Sequence, residues 1–187
     1  MELRDFKIYR GDETNGKMVD YQINVDKGMV VLDAIHQIQA LKANDLAVRW
    51  NCKAGKCGSC SVEINGKPKL ACMTRMNEYK KDETVSVRPI RTFPVIKDLV
   101  TNVEWNYEQN KRIQPFKPNP SEKDEKGNYH MMQEDVDRVQ EFRKCIECYL
   151  CQNVCHVLRD HERNCLLYTS DAADEGLGVD LGGRRII

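Results

Sequence analysis

The sequence predicts an α+β protein in two parts: a small sheet crossed by one helix, and a helical segment after it. Three observations lead to this prediction. Stretches of alternating apolar and polar residues fill much of the first half, one amphipathic helical pattern interrupts them, and a group of closely spaced cysteines lies in each part. With 187 residues, the chain is long enough for one or two small domains with modest cores.

Two strand patterns begin the chain. Residues 1–10 and 18–25 alternate apolar with polar side chains, which is typical of a strand with one buried face. The apolar members of the first stretch are Leu3, Phe6 and Ile8. Asn15-Gly16 between the two stretches is a hairpin signal. We therefore expect an antiparallel pair of strands.

An amphipathic helix is predicted over residues 30–42. Apolar side chains recur there three and four residues apart and so share one face: Val31, Leu32, Ile35, Ile38 and Leu41 or Lys42. Further strands are expected at 61–64, 69–72 and 84–88, with a turn at Asn65-Gly66. Two strands, a helix across the sheet, a cysteine loop and further strands make a β-grasp arrangement.

The second half is more polar. A weak helical stretch is expected from 93 to 110, followed by a proline-bearing connector and by a helix at 132–144 that leads into the second cysteine group. The expected division is a β-grasp domain at 1–92, a connector at 93–130, a partial α-helical domain at 131–164 and a tail at 165–187.

The tail, residues 165–187, breaks the patterns of the preceding chain. Neither a helical nor a strand period continues through it, and the segments 165–170, 171–175 and 178–187 match, in order, translations of sequencing-library adapters. Segments of such origin are excluded from fold reasoning. We expect the tail to be non-native and the natural sequence to diverge at about residue 164; a natural polar tail is the alternative.

The most informative motif of the first half consists of Cys52, Cys57, Cys60 and Cys72. Its C-x4-C-x2-C…C spacing is the plant-type arrangement, which holds a [2Fe–2S] cluster through four thiolates. Gly55 and Gly58 allow the backbone of the loop to approach the sulfurs closely. A structural zinc site or four unrelated thiols are the alternatives, although zinc sites usually pair two C-x2-4-C knuckles. The motif therefore predicts a plant-type ferredoxin domain.

A second group consists of Cys145, Cys148, Cys151 and Cys155. Its C-x2-C-x2-C-x3-C spacing is that of bacterial [4Fe–4S] runs, in which the fourth cysteine ligates another cluster when two are present. This pattern indicates a bacterial-ferredoxin-like helical domain whose ligand sets are incomplete within residues 1–164. A zinc knuckle stays open as the alternative, because C-x2-C also suits zinc.

Composition and charge argue against several function classes. The formal net charge is zero, so nucleic acid is not expected as a principal partner. We expect neither a membrane span nor a signal peptide, and nine cysteines then favour metal-binding or catalytic thiols over disulfides. No nucleophile–base pair, phosphate loop or flavin site is recognisable, and we interpret His36 as a packing or surface residue. The chain is expected to carry electrons without doing bond chemistry itself.

With both cysteine groups considered, residues 1–164 resemble the iron–sulfur subunits of succinate dehydrogenase and fumarate reductase. The resemblance rests on the segments 50–60, 94–99 and 145–155 and on the order of the domains. It implies three centres: [2Fe–2S] at Cys52, Cys57, Cys60 and Cys72, [4Fe–4S] at Cys145, Cys148 and Cys151, and an incomplete [3Fe–4S] at Cys155. The chain departs from the family at His156, where proline is common, and by lacking the later cysteines.

The resemblance also implies partners. A flavoprotein subunit with FAD would oxidise succinate or reduce fumarate, and a membrane anchor, a cytochrome b subunit, would exchange electrons with quinone. This chain would be the non-catalytic electron-transfer subunit, cytoplasmic and peripheral on the inner face of the membrane through that anchor. Two alternatives stay open: the similar subunit of a soluble thiol-coupled fumarate reductase, and a zinc-stabilised interaction module without redox function.

Overall fold

A computed structural model of the protein describes residues 2–113, 123–129, 132–156 and 158. The expected non-native tail at 165–187 lies outside these residues. The chain divides into two compact units, one with residues from 1–103 and from 148 onward, the other with residues from 104–147.

A five-stranded mixed sheet forms the first unit. Its strands are β1 (Glu2–Arg10), β2 (Lys17–Val25), β3 (Ser61–Ile64), β4 (Lys67–Leu70) and β5 (Val85–Arg88). Across the sheet their order is β2-β1-β5-β3-β4. β1 pairs antiparallel with β2 and parallel with β5, and β3 pairs antiparallel with both β4 and β5. Together with the helix α1 (Val31–Leu41), this is the predicted β-grasp arrangement.

The hydrophobic core lies between α1 and the sheet. Its fully buried members include Phe6, Ile8, Ile35 and Ile38. Leu3, expected on the buried face of β1, is 54% exposed instead. Side chains alternate between the faces of a strand, so Leu3 points away from the face that Phe6 and Ile8 share.

The first turn of α1 attaches the helix to the chain around Cys72. The N–H of Val31 donates to the carbonyl of Thr74 (2.9 Å), and the N–H of Leu32 donates to that of Ala71 (3.0 Å). The first N–H groups of a helix have no partner within it, so these bonds satisfy two of them. They also hold the residues on both sides of Cys72 at one place beside the sheet.

The predicted turns have identifiable causes. Asn65 and Gly66, which join β3 to β4, have φ angles of 47° and 73°. Positive φ at both central residues is what a type I′ hairpin requires, and Asn-Gly is the preferred pair. Between β1 and β2, the Asp12 carboxylate accepts the N–H groups of Thr14 (2.8 Å) and Asn15 (2.9 Å). The side chain thereby stabilises the turn.

The helical stretch expected from 93 to 110 is wrong in its first half. Residues there form a hairpin of β6 (Val95–Lys97) and β7 (Val100–Thr101), and the helix α2 occupies only Glu104–Arg112. β-branched side chains favour a strand, and Asp98 between the strands has a φ of 52°, which a helix does not allow.

The remaining elements are short. A 3₁₀-helix spans Met76–Glu78 in the first unit, and α3 spans Gln133–Arg143 in the second, close to the predicted helix at 132–144. A further helical turn, α4 (Leu150–Asn153), belongs to the first unit and lies within the second cysteine group.

Replacing Ile35 with alanine should lower the free energy of unfolding by about 3 kcal/mol, because it leaves a cavity between α1 and the sheet. Leu41→Ala on the same helix is the matched control: Leu41 is 66% exposed, and the change should cost less than about 0.5 kcal/mol. Denaturant unfolding followed by circular dichroism measures both. Equal losses for the two variants would contradict this packing.

Candidate metal centre

The cysteine loop follows α1 and leads into β3 without regular secondary structure. Lys53, Gly55 and Gly58 have φ angles of 52°, 66° and 68°, so the backbone turns repeatedly through the left-handed region. A Cβ at Gly55 would lie 2.9 Å from the Cγ and Sδ atoms of Met73, the residue after Cys72. A side chain at this left-handed position would be strained and would displace the Met73 side chain, so glycine is favoured here.

The backbone N–H groups of the loop point toward sulfur. Cys52 Sγ accepts hydrogen bonds from the N–H groups of Ala54 and Lys56, both at 3.3 Å. The N–H of Cys72 donates to Cys60 Sγ at 3.5 Å. Hydrogen bonds of this kind favour the negatively charged form of the acceptor. These N–H groups favour negative charge on the two sulfurs that accept them.

The four thiols differ in exposure and acidity. Cys52 and Cys57 are partly exposed, whereas Cys60 and Cys72 are buried. A hydrogen bond from the Ser59 side chain, followed by the backbone N–H of Cys52, lowers the pKa of Cys57 to about 6. Burial raises the pKa of Cys60 to about 11, and the side chain of Cys72 contributes in the same direction.

These interactions group the thiols in two pairs. Hydrogen bonding links the side chains of Cys57 and Cys52, and likewise those of Cys60 and Cys72. Negative charge on Cys57 also raises the pKa of Cys60. Within the described residues, no three His, Cys, Asp or Glu side chains converge on the position of a single metal ion. Two neighbouring pairs of soft thiolate donors fit a [2Fe–2S] cluster, which needs four such ligands shared between two irons.

An aromatic side chain covers one flank of the loop. The ring of Trp50, 48% exposed, meets the His36 ring edge-on with 4.8 Å between centroids, and Lys53 Nζ lies 4.9 Å from the Trp50 centroid. Burial, followed by the charge of Lys53, lowers the pKa of His36 and so favours the neutral imidazole. His36 packs against Trp50, in line with its interpretation as a packing residue.

The second cysteine group is divided between the two units. Cys145 belongs to the second unit, and Cys148, Cys151 and Cys155 belong to the first. Cys145 and Cys151 are exposed, and the other two are partly exposed. Glu147 (φ 54°) and Tyr149 (φ 58°), between Cys145 and α4, have left-handed backbone conformations.

A buried polar contact attaches α4 to the sheet. Glu63 on β3, 2% exposed, accepts hydrogen bonds from Arg91 Nε (2.7 Å) and from Asn153 Nδ2 (2.8 Å). Asn153 Oδ1 in turn accepts from the N–H and the hydroxyl of Thr92, both at 3.3 Å. The contact joins the strand that begins after Cys60 to the helical turn that carries Cys151. Sequence patterns do not reveal it, because its members are far apart in the chain.

A family model described as a 2Fe-2S iron-sulfur cluster binding domain matches residues 5–109, more than half of the chain. The chain belongs to this family. The predicted [2Fe–2S] ferredoxin domain is therefore supported both by the fold and by this match.

Curated relatives of the chain are iron-sulfur subunits of two related enzymes. The fumarate reductase iron-sulfur subunit of Mycobacterium tuberculosis (strain CDC 1551 / Oshkosh) is 35% identical over 138 residues, which cover 73% of this chain and 56% of the relative. The succinate dehydrogenase iron-sulfur subunit of Paracoccus denitrificans is 33% identical over 161 residues, covering 82% and 60%. These relatives confirm the resemblance to succinate dehydrogenase and fumarate reductase iron–sulfur subunits.

A solved structure agrees with this assignment. A chain of the "Mycobacterium smegmatis Sdh1 complex in the apo form" superposes with a TM-score of 0.81 and 60% identity, covering 87% of this chain and 67% of that one. The present chain spans a little over half the length of the curated relatives described above. Within the described residues, none of the helices has the length and apolarity that crossing a membrane requires.

In iron-free, reduced protein at pH 7, Cys57 should react with iodoacetamide faster than Cys60, on the order of tenfold or more, because the thiolate is the nucleophile. The pKa of about 6 makes Cys57 largely thiolate at this pH, whereas Cys60 stays protonated. Peptide mapping by mass spectrometry measures both rates. In Ser59→Ala, the midpoint of the pH dependence at Cys57 should move upward; an unchanged midpoint would contradict the role of Ser59.

Asn153→Asp should destabilise the protein more than Asn153→Ala at pH 7, because it places a second carboxylate beside buried Glu63. Asn153→Ala should itself cost about 2 kcal/mol by removing a hydrogen bond to a buried charge. The gap between the two variants should shrink as the pH falls and one carboxylate takes up a proton. Thermal unfolding measures these effects, and Val154→Ala, at a 60% exposed position, is the control. A gap independent of pH would refute the contact.

Proposed function

We propose that Cys52, Cys57, Cys60 and Cys72 hold a [2Fe–2S] cluster and that the chain works as an electron-transfer subunit. The observation that carries this proposal is the set of backbone N–H groups directed at the sulfurs of Cys52 and Cys60. When bound, such a cluster accepts and releases one electron at a time. A zinc-stabilised module without redox function is not favoured by any of these contacts.

The protein residues would control the charge at this site. The N–H groups of Ala54 and Lys56 stabilise negative charge on Cys52, and this charge grows when an electron arrives. Cys60 and Cys72 lie on the buried side, where water is excluded, and Cys52 and Cys57 lie toward solvent. Electrons would therefore exchange most readily through the side of Cys52 and Cys57.

The proposed partners follow from the relatives. Curated relatives are named as iron-sulfur subunits of fumarate reductase and succinate dehydrogenase. We infer a complex in which this chain relays electrons between a flavoprotein subunit with FAD and quinone at a membrane anchor cytochrome b subunit. In that complex the chain would lie at the cytoplasmic face of the membrane, attached through the anchor.

The second cysteine group would serve the later part of the relay. Cys145, Cys148 and Cys151 would ligate a [4Fe–4S] cluster, and Cys155 would belong to a [3Fe–4S] cluster. Neither ligand set is complete among residues 1–164, so both clusters would need further cysteine ligands. We keep the division at 1–92, 93–130 and 131–164 as part of this proposal.

Electron paramagnetic resonance of the anaerobically purified, dithionite-reduced chain tests the proposed function. We expect a rhombic [2Fe–2S] signal with about two irons and two sulfides per chain, the content of one such cluster. Cys72→Ser should abolish or strongly alter the signal, and Cys145→Ser, the matched control, should leave it intact. Bound zinc without an iron signal would overturn the electron-transfer proposal in favour of the zinc module.

A further inference from the structure

The segment that leads into the cysteine loop is held by the β6–β7 hairpin. Residues 46–50 have no regular secondary structure. Both backbone polar groups of Ala47 are nevertheless hydrogen-bonded to the hairpin. Its N–H donates to Asp98 Oδ2 (2.8 Å), and its carbonyl accepts the N–H of Leu99 (3.2 Å). Arg49 Nη1 donates to the carbonyl of Thr101 (2.8 Å). Three hydrogen bonds thus attach the chain just before Cys52 to the hairpin.

Asp98 connects this segment with the sheet. The side chain is 1% exposed, and its second oxygen, Oδ1, accepts hydrogen bonds from Arg10 Nε (3.1 Å) and from the N–H of Gly11 (2.7 Å). The N–H of Asp98 itself donates to the carbonyl of Gly11 (2.6 Å). One buried carboxylate therefore joins the end of β1, the hairpin and the segment that enters the cysteine loop.

Charge and geometry both matter at Asp98. A carboxylate offers acceptors on two oxygens, so it can receive Ala47 on one and Arg10 with Gly11 on the other. An asparagine offers one oxygen and turns an NH₂ group toward the remaining donors, which leaves a buried N–H without an acceptor. The substitution therefore releases one of the attached segments.

We propose that Asp98 is a positioning residue for the candidate [2Fe–2S] centre. It fixes Ala47 and hence the entry of the loop at Cys52, and it thereby sets how closely the N–H groups of Ala54 and Lys56 approach the Cys52 sulfur. Hydrogen bonds to ligand sulfurs are one of the factors that set the reduction potential of such clusters. Loosening the entry should weaken them and make the reduced cluster harder to form.

This inference rests on the proposed function, and its test begins with the unsubstituted chain. If that chain shows no [2Fe–2S] signal, the proposed function fails, independently of Asp98. If the signal is present, redox titration followed by electron paramagnetic resonance gives the midpoint potential of Asp98→Asn. We expect a shift to more negative potential, on the order of a threefold weaker reduction equilibrium, as for a weakened hydrogen bond, with changed g-values.

Asp45→Asn is the matched control. Asp45 is an exposed carboxylate that accepts a hydrogen bond from the same Arg10 (2.6 Å), whereas Ala47 bonds to Asp98 and Leu99. Asp45→Asn removes one negative charge beside Arg10, as Asp98→Asn does. It should leave the potential and the g-values unchanged. A shift of equal size in this control would attribute the effect to charge alone and overturn the positioning role.

A second variant covers the case in which Asp98→Asn does not fold. Arg49→Lys keeps the positive charge and disturbs the bond to the Thr101 carbonyl, so it should shift the potential in the same direction with little loss of thermal stability. If Arg49→Lys, and Asp98→Asn where it folds, keep the original potential and g-values, Asp98 is only structural and the proposal is wrong.

Discussion

The attachment of α1 to the chain around Cys72 is the constraint on which the site depends. Cys52, Cys57 and Cys60 are close in sequence, but Cys72 follows a complete hairpin and has to return to them. It returns because the carbonyls of Ala71 and Thr74 accept the first N–H groups of a helix whose apolar face is buried in the core. Burial of that face therefore also positions the fourth sulfur.

Two buried carboxylates fix the positions of further segments outside the hydrophobic core. Asp98 connects the entry of the cysteine loop to β1 and the hairpin, and Glu63 connects β3 to the helical turn inside the second cysteine group. A buried charge is tolerated only when its hydrogen bonds are satisfied, so each carboxylate imposes one arrangement on the segments around it.

The cysteine loop combines two environments. Its exposed side has the acidic thiol of Cys57 and the N–H groups directed at Cys52, whereas its inner side has the buried thiols of Cys60 and Cys72. Such a difference suits an electron carrier, because the buried side excludes water while the exposed side remains open to exchange. The aromatic and basic side chains of Trp50 and Lys53 lie along this open side.

Much of the fold and of the candidate site follows from local patterns. Period-two alternation, one amphipathic helix, the Asn-Gly turn and the cysteine spacing are short-range signals, so the sequence by itself determined the β-grasp domain and the four candidate ligands. The exposure of Leu3 also follows from the alternation, since Leu3 is an odd number of residues from Phe6. Only the tertiary structure decided the contacts of Asp98 with Ala47 and of Glu63 with Asn153. Those partners are far apart in the chain, and no local periodicity indicates which distant residues will meet.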